Sequence, residues 1–357
     1  MVEVIGIELA RWVVLLLAAF GGGAFGAALG ALPAFCFTGF LVIGGEVVNI
    51  LKSNLTSATA IEPASQTVGI TGILGFGPLF GPHISFADGV AAAAYASKKG
   101  YMDEGFDYHL AKDIGQALST KPDVLAVGGI FGVFGLICFR GLAFVAAPFD
   151  QIAATVVISA FLARLVFGYD LVGEAAGSSY FDMTPFENGV TREVPPAEEP
   201  AVSTDGGTAE RMATEPWLPF QYKWSNVTMI GLVAGVLGAF IAIETDSAFL
   251  GFGISAATLT FLTLGTEVPV THHITLPAST AALAVLPWGV VPAMLVGTVF
   301  GITGALSGEV LQRLFYAHGD THVDPPAFAI ALNTFVIALL AIIGIFPGAS
   351  WVATLGV

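Results

Sequence analysis

Residues 127–135 read VGGIFGVFG, and residues 296–304 read VGTVFGITG. Both runs are apolar, with small residues at i, i+4 and i+7: Gly128, Gly132 and Gly135 in the first, Gly297, Gly301 and Gly304 in the second. That spacing lines the glycines along one helix face, flat enough for a neighbouring backbone to come close, so helix packing is their expected role. Glycine and valine recur throughout membrane helices, and one such match means little. The order of the matches decides. Upstream, Ala34-Phe35-Cys36-Phe37-Thr38-Gly39-Phe40 resembles Ala248-Phe249-Leu250-Gly251-Phe252-Gly253-Ile254. His83-Ile84-Ser85 matches His273-Ile274-Thr275, and each runs into alanines, Ala91 and Ala92 against Ala281 and Ala282. Downstream, Thr155-Val156-Val157-Ile158 pairs with Thr334-Phe335-Val336-Ile337. Four matches in one order predict an internal duplication.

The composition says where the copies reside. Of 357 residues, 55% are hydrophobic and 11% charged, and the mean hydropathy is +0.82. A soluble domain would carry about a quarter charged residues. The apolar runs are long enough to cross a hydrocarbon core of roughly 30 Å. The sequence therefore predicts an all-α, polytopic integral membrane protein with about ten spans: 8–31, 33–51, 67–97, 123–146 and 149–168, then 226–245, 247–265, 272–290, 291–312 and 326–347. Residues 8–168 form the first transmembrane repeat, 226–347 the second, and 169–225 the linker between them. The N-terminus lacks a basic region and a small-residue cleavage site, so the first apolar run is expected to be a retained span.

Five spans per copy is an odd number, which inverts the second copy relative to the first. Lys98, Lys99, Lys112, Lys121, Arg192, Arg211, Lys223 and Arg313 then share one face, against Arg11, Lys52 and Arg140 on the other. By the positive-inside rule, loops 98–121 and 169–225 are cytoplasmic and both termini lie outside. Leu110, Ile114 and Leu118 have helical spacing and predict a short amphipathic helix on the bilayer surface. Trp217, Phe220, Tyr222 and Trp224 read as an interfacial aromatic belt.

The net charge of −15 is concentrated in loops. The linker holds ten acids, Asp170, Glu174, Asp182, Glu187, Glu193, Glu198, Glu199, Asp205, Glu210 and Glu215, against Arg192, Arg211 and Lys223. With its Pro, Gly, Ser and Thr it reads as largely disordered. So acidic a segment excludes nucleic acid as a partner. Acid-rich, lysine-poor loops beside Ala-, Gly- and Val-rich spans resemble multi-spanning membrane proteins of halophilic archaea, a likeness of composition that implies no particular activity. Cys36 and Cys138 sit in apolar segments and read as core residues, with no disulfide or metal framework.

Two spans are odd. The run 67–97 is too long and is broken by Gly75-Phe76-Gly77-Pro78 and Gly81-Pro82; the run from His272 is short, with Pro277 inside. Each break precedes a helix that Ser85 or Thr275 is placed to N-cap. A helix starting inside the membrane leaves free N–H groups and a positive dipole end, and irregular backbone at that depth lines a cavity or lies buried in protein. His83, Ser85, His272, His273 and Thr275 are therefore the candidate substrate- or ion-binding residues. Asp88, one turn into the first half-helix, and Glu46, inside the second span, join them as intramembrane carboxylates. The bland reading puts both breaks at the membrane surface, with interfacial histidines. Arg140 aligns with Glu309 and is placed to pair with it, while Arg140 and Arg164 are also placed to snorkel. Glu244 and Asp246 read as solvated. Asn54-Leu55-Thr56 and Asn226-Val227-Thr228 are glycosylation sequons by pattern.

No HExxH, GxSxG or phosphate-loop motif occurs, so no enzymatic activity and no cofactor is expected. The reading is a transporter or channel-like permease for a small solute or ion, its site between the repeats. The alternative is a structural or scaffold membrane protein. The partners expected are the lipid bilayer, a small solute or ion, and further copies of the chain in an oligomer.

Overall fold

A computed structural model of the chain describes residues 3–4, 7–59, 69–103, 105–194 and 209–355. A short antiparallel pair, β1 (Glu3–Val4) and β2 (Ile7–Glu8), leads into α1 (Leu9–Leu29) and α2 (Ala31–Thr59). Two single π-helical turns, Thr71–Gly75 and Pro82–Phe86, precede α3 (Ala87–Lys98). Then come α4 (Pro122–Phe144) and α5 (Gln151–Phe167). The connecting segment carries α6 (Thr184–Glu187), β3 (Thr191–Val194) and β4 (Ala209–Met212). The second half follows with α7 (Trp224–Thr245), α8 (Leu250–Thr263), α9 (His272–Ala284), α10 (Val290–Phe315) and α11 (Pro325–Ile342).

Among the described residues six helices are long and apolar enough to cross a bilayer: α1, α2, α4, α7, α10 and α11. Helices α5 and α8 are apolar but shorter; the third expected span is interrupted between two π-helical turns and α3, whereas α9 runs unbroken through Pro277. The six spans bury only a third to a half of their residues. The rest expose large apolar side chains, such as Val13, Leu17 and Phe20 on α1 and Val233, Leu237 and Phe240 on α7. So broad an apolar surface fits lipid, not water.

Small residues set the packing. Helix α1 lies on α3 and α4, and α7 on α9 and α10. Gly26 of α1 abuts the backbone of Ser85, where an added Cβ would sit 2.7 Å from the Ser85 Cα; Gly238 of α7 abuts Thr275, with 2.9 Å to its Cα. Gly135 of α4 faces the His83 carbonyl and Gly304 of α10 the His273 carbonyl. Pro277 has no N–H to return to that His273 carbonyl four residues back, which leaves it turned towards α10. Between the halves, α2 crosses α8 and α5 crosses α11. Gly39 packs on Ala256 and Ala257 while Gly253 packs on Val42 and Ile43, so α2 and α8 run antiparallel.

Both α5 and α11 begin at an aspartate cap. Asp150 Oδ1 accepts from the N–H groups of Ile152 and Ala153 at 2.9 and 3.0 Å, and Asp324 Oδ2 accepts from Ala327 at 2.8 Å. Aligned on these caps, buried Ala153, Val156, Ala160 and Ala163 fall opposite buried Ala327, Ile330, Thr334 and Ile337. On this alignment Thr155 stands opposite Ala329, whereas the sequence match set it opposite Thr334.

Three other expectations are corrected. Among the described residues of 98–121 there is no amphipathic helix beyond one 3₁₀ turn, Leu110–Lys112, because Leu110 and Leu118 are buried against Ala92 and Val124 instead of facing a bilayer surface. The described residues of 169–225 are not a loose connector. β3 and β4 form an antiparallel hairpin, and buried charges stitch the rest down. Arg313 donates to the carbonyls of Phe181 and Tyr222 at 2.6 and 3.0 Å, and Arg164 to that of Leu171 at 2.6 Å. Residues 195–208, with Glu198, Glu199 and Asp205, lie outside the described residues, as do 67 and 68 of the third expected span and the Asn54 side chain. Finally, Arg164 does not snorkel. It is fully buried and also donates to Thr321 Oγ1 and the Thr321 carbonyl, both at 2.8 Å.

Candidate functional site

A cavity of about 1640 Å³ opens between the halves. Part of its wall is an aromatic cluster. Phe35 of α2 stands 5.4 Å from Phe86, 4.8 Å from His272 and 5.9 Å from Phe252, ring centre to ring centre. Both helix breaks reach this space. Pro82, with φ fixed for a first helical turn, starts the π-helical turn that carries His83 into the wall. Thr271 precedes α9, whose first residue, His272, also lines the cavity. Each imidazole is buried, and its Nδ1 has no hydrogen-bond partner. Around His83 the wall is cationic, with Arg11, Arg140 and the Phe139 ring 4.7 Å away. Elsewhere it takes in loop residues, among them Asp103, Asp107, Lys112 and Asp113.

The break is held open by hydrogen bonds that replace those a helix would supply. Thr38 Oγ1 donates to the Phe80 carbonyl at 2.5 Å. Glu46 ties down the outer turn: its Oε1 accepts from Thr71 Oγ1 at 2.8 Å and Asn49 Nδ2 at 3.0 Å, and its Oε2 from Ser247 Oγ at 2.5 Å. Ser247 precedes α8, so this carboxylate joins the halves and does not line the cavity.

The candidate residues therefore divide. His83 and His272 line the cavity. His273 turns away into a separate small recess, with the Trp217 ring 5.8 Å from it and Glu309 in the same wall. His273, named with the others as a candidate binding residue, thus does not share the cavity that His83 lines. The reason is packing: the backbone at His273 is pressed on Gly304 and its ring on Gly308, which points the side chain along α10. Ser85 and Thr275 lie inside their helical turns, not at the caps, which are Gly81 and Thr271. Thr275 Oγ1 shares a hydrogen bond with Ser255 Oγ at 3.2 Å, while the Ser85 hydroxyl and both oxygens of Asp88 have no partner. Glu309 pairs with Arg313 at 2.6 Å and not with Arg140. The glycine rows are at helix contacts, Gly297 on Ala239 and Gly128 on Ala27. Among the described residues no three metal-ligating side chains converge.

Sequence reading missed the loop cluster that walls one part of the cavity. Lys112 and Glu215, both fully buried, meet at 2.6 Å. Glu215 also accepts from the His109 N–H at 2.9 Å and pairs with His109 Nδ1 at 2.8 Å. Asp320 reaches His109 Nε2 at 3.4 Å and Arg192, and the Lys112 ammonium lies 4.5 Å above the Tyr316 ring. Burial alone raises Glu215, but Lys112 and His109 outweigh it and hold the carboxylate below its ordinary range. Burial lowers Lys112 despite its partner, so the two shifts pull apart. The Glu215 direction is the firmer, since three donors converge on that one group. Trp217 and Phe220, read as an interfacial belt, also line the cavity. The only sequence signal was a lone acid, Glu215, two residues before that tryptophan.

No curated protein and no solved structure matches the chain. A family match does run from residue 4 to residue 355, across both halves, the breaks and the connecting segment alike. With nearly the whole length covered, the chain belongs to the family of unknown function DUF7973.

Proposed function

We propose that this membrane protein is a transporter or channel-like permease for a small solute, built from two inverted five-segment halves with the pathway between them. The observation that carries the reading is the cavity of about 1640 Å³, walled by both halves and by one histidine from each break. A purely structural interface would be filled by side chains. The paired contacts support the inverted arrangement: Gly26 on Ser85 against Gly238 on Thr275, and the reciprocal crossing of Gly39 and Gly253. An antiparallel crossing with exchanged partners is what an axis in the membrane plane produces. The aromatic wall with cationic Arg11 and Arg140 favours an organic solute with an apolar body over a bare inorganic ion.

The test is cysteine accessibility in a Cys36→Ala, Cys138→Ala background. Phe252→Cys and Phe35→Cys, both in the cavity wall, are expected to react with a small hydrophilic thiol reagent in reconstituted vesicles. If both stay unreactive in folded protein, the space is dry and the scaffold reading replaces this one. Orientation is tested separately. Gly105→Cys, exposed in the loop placed on the cytoplasmic side, should resist an impermeant reagent in intact cells.

A further inference from the structure

Asp88 is unlike the other intramembrane acids. It is fully buried on the first turn of α3, neither carboxylate oxygen has a hydrogen-bond partner, and it lines neither cavity. One turn earlier on the same face, the buried Ser85 hydroxyl is equally unpartnered. The carboxyl is seated on glycine. A Cβ at Gly132 of α4 would lie 2.7 Å from Asp88 Oδ2, and one at Gly23 of α1 would collide with the same oxygen. In the second half Ala278 takes this place, and Gly301 there meets the backbone of Gly231 and Gly235. Gly132 of α4 makes room for the α1 backbone at Ala19 and for this carboxyl as well; Gly301 of α10 makes room for a helix backbone alone.

No charge answers Asp88 from any element packed on α3. On α1 and α4, Arg11 and Arg140 line the cavity beside His83, and Asp123 accepts from the Tyr95 hydroxyl. On α5, Arg164 is held by Thr321 and Leu171, and Asp150 caps its own helix. On α2, Glu46 is engaged by Thr71 and Ser247, and in the 3₁₀ turn Lys112 is paired with Glu215. The His83 ring in the preceding turn lies against Phe139. An ionised carboxylate with neither counter-charge nor donor is strongly disfavoured in such surroundings. A metal ion needs a shell of oxygens and space for it, and neither of the two cavities described above reaches the group. A proton needs neither.

We propose that Asp88 carries a bound proton in this packing and gives it up only when α3 parts from α1 and α4. On release the acid O–H bond breaks, its electron pair stays on the carboxylate, and the proton passes to water. The inference stands whether or not a solute uses the cavity. The packed state binds a proton that the opened state loses, so the packing weakens as pH rises.

Infrared difference spectra of the purified full chain at about pH 7, wild type minus Asp88→Asn, test it. The expected result is a protonated-carboxyl C=O band in the wild type that the substitution abolishes. Loss of ionised-carboxylate bands instead would overturn the proposal. Melting curves give a second reading: from about pH 5 to about pH 8 the wild-type Tm should fall relative to Asp88→Asn, whose amide mimics the neutral acid. Parallel curves overturn it. So does an Asp88→Asn chain that cannot fold, since a neutral isostere is what the site is held to require.

Discussion

Gly301→Leu is expected to lower the melting temperature by several degrees or to prevent folding, because α7 can no longer sit on α10. A Cβ alone at this position would meet the Gly231 carbonyl at 3.0 Å and the Gly235 N at 3.1 Å, and would run into the Gly235 Cα. These are backbone atoms, which cannot swing aside as a side chain does. The overpacking penalty should therefore be near the upper end of the usual range, about 3 kcal/mol. Gly26→Leu should behave alike in the first half, where the obstacle is the backbone of Ser85. Gly21→Leu is the control: it lies on α1, exposed, with nothing within 4 Å of an added Cβ. Leucine there should be tolerated, and it gains helix propensity. If Gly301→Leu melts with Gly21→Leu in detergent, the close packing of α7 on α10 is wrong.

That contrast also marks what the sequence could be made to say. The long apolar runs located α4, α7, α10 and α11 closely, since long stretches with few charges leave little choice in a bilayer. The glycine rows of α4 and α10 were readable from their spacing. Their partners on α1 and α7 are glycines too, Gly23 and Gly26 against Gly235 and Gly238, and spacing alone does not say which glycine row meets which. The first break was legible from Pro82, while Pro277 sits inside an unbroken α9; which imidazole enters the cavity was not legible. His272 and His273 are adjacent and point apart, and only contact with Gly304 and Gly308 settles that His273 faces away. The match of Thr155-Val156-Val157-Ile158 with Thr334-Phe335-Val336-Ile337 carries no structural anchor, whereas the aspartate caps of α5 and α11 do and set a different register. Hardest of all was the connecting segment. Its acids look solvated in sequence, since a buried ion pair is distinguished from a surface charge only by a partner distant in the chain, and Lys112 is remote from Glu215.

That pair sets the other large effect. Glu215→Ala is expected to lower stability by about 3–5 kcal/mol, because it strands a fully buried Lys112 ammonium without its counter-charge. The loss should appear as a fall in melting temperature and as faster proteolysis of residues 209–223. Pairing it with Lys112→Met should recover much of the loss, since an apolar replacement of a whole buried pair is often near neutral. The pH dependence has a definite sign. Burial pushes Glu215 up, but Lys112 and His109 together hold it below the ordinary carboxylate value. A folded-state pKa depressed below the unfolded one gives stabilisation that is complete above the unfolded value, about 4.3, and fades as pH falls through the folded value. Glu215→Gln should accordingly lose less stability than the wild type on acidification. Were Glu215→Ala to melt like the wild type, and Glu215→Gln to follow the same acid curve, the cluster would be a hydrated surface feature and the wall it forms beside the cavity would have no rigid core.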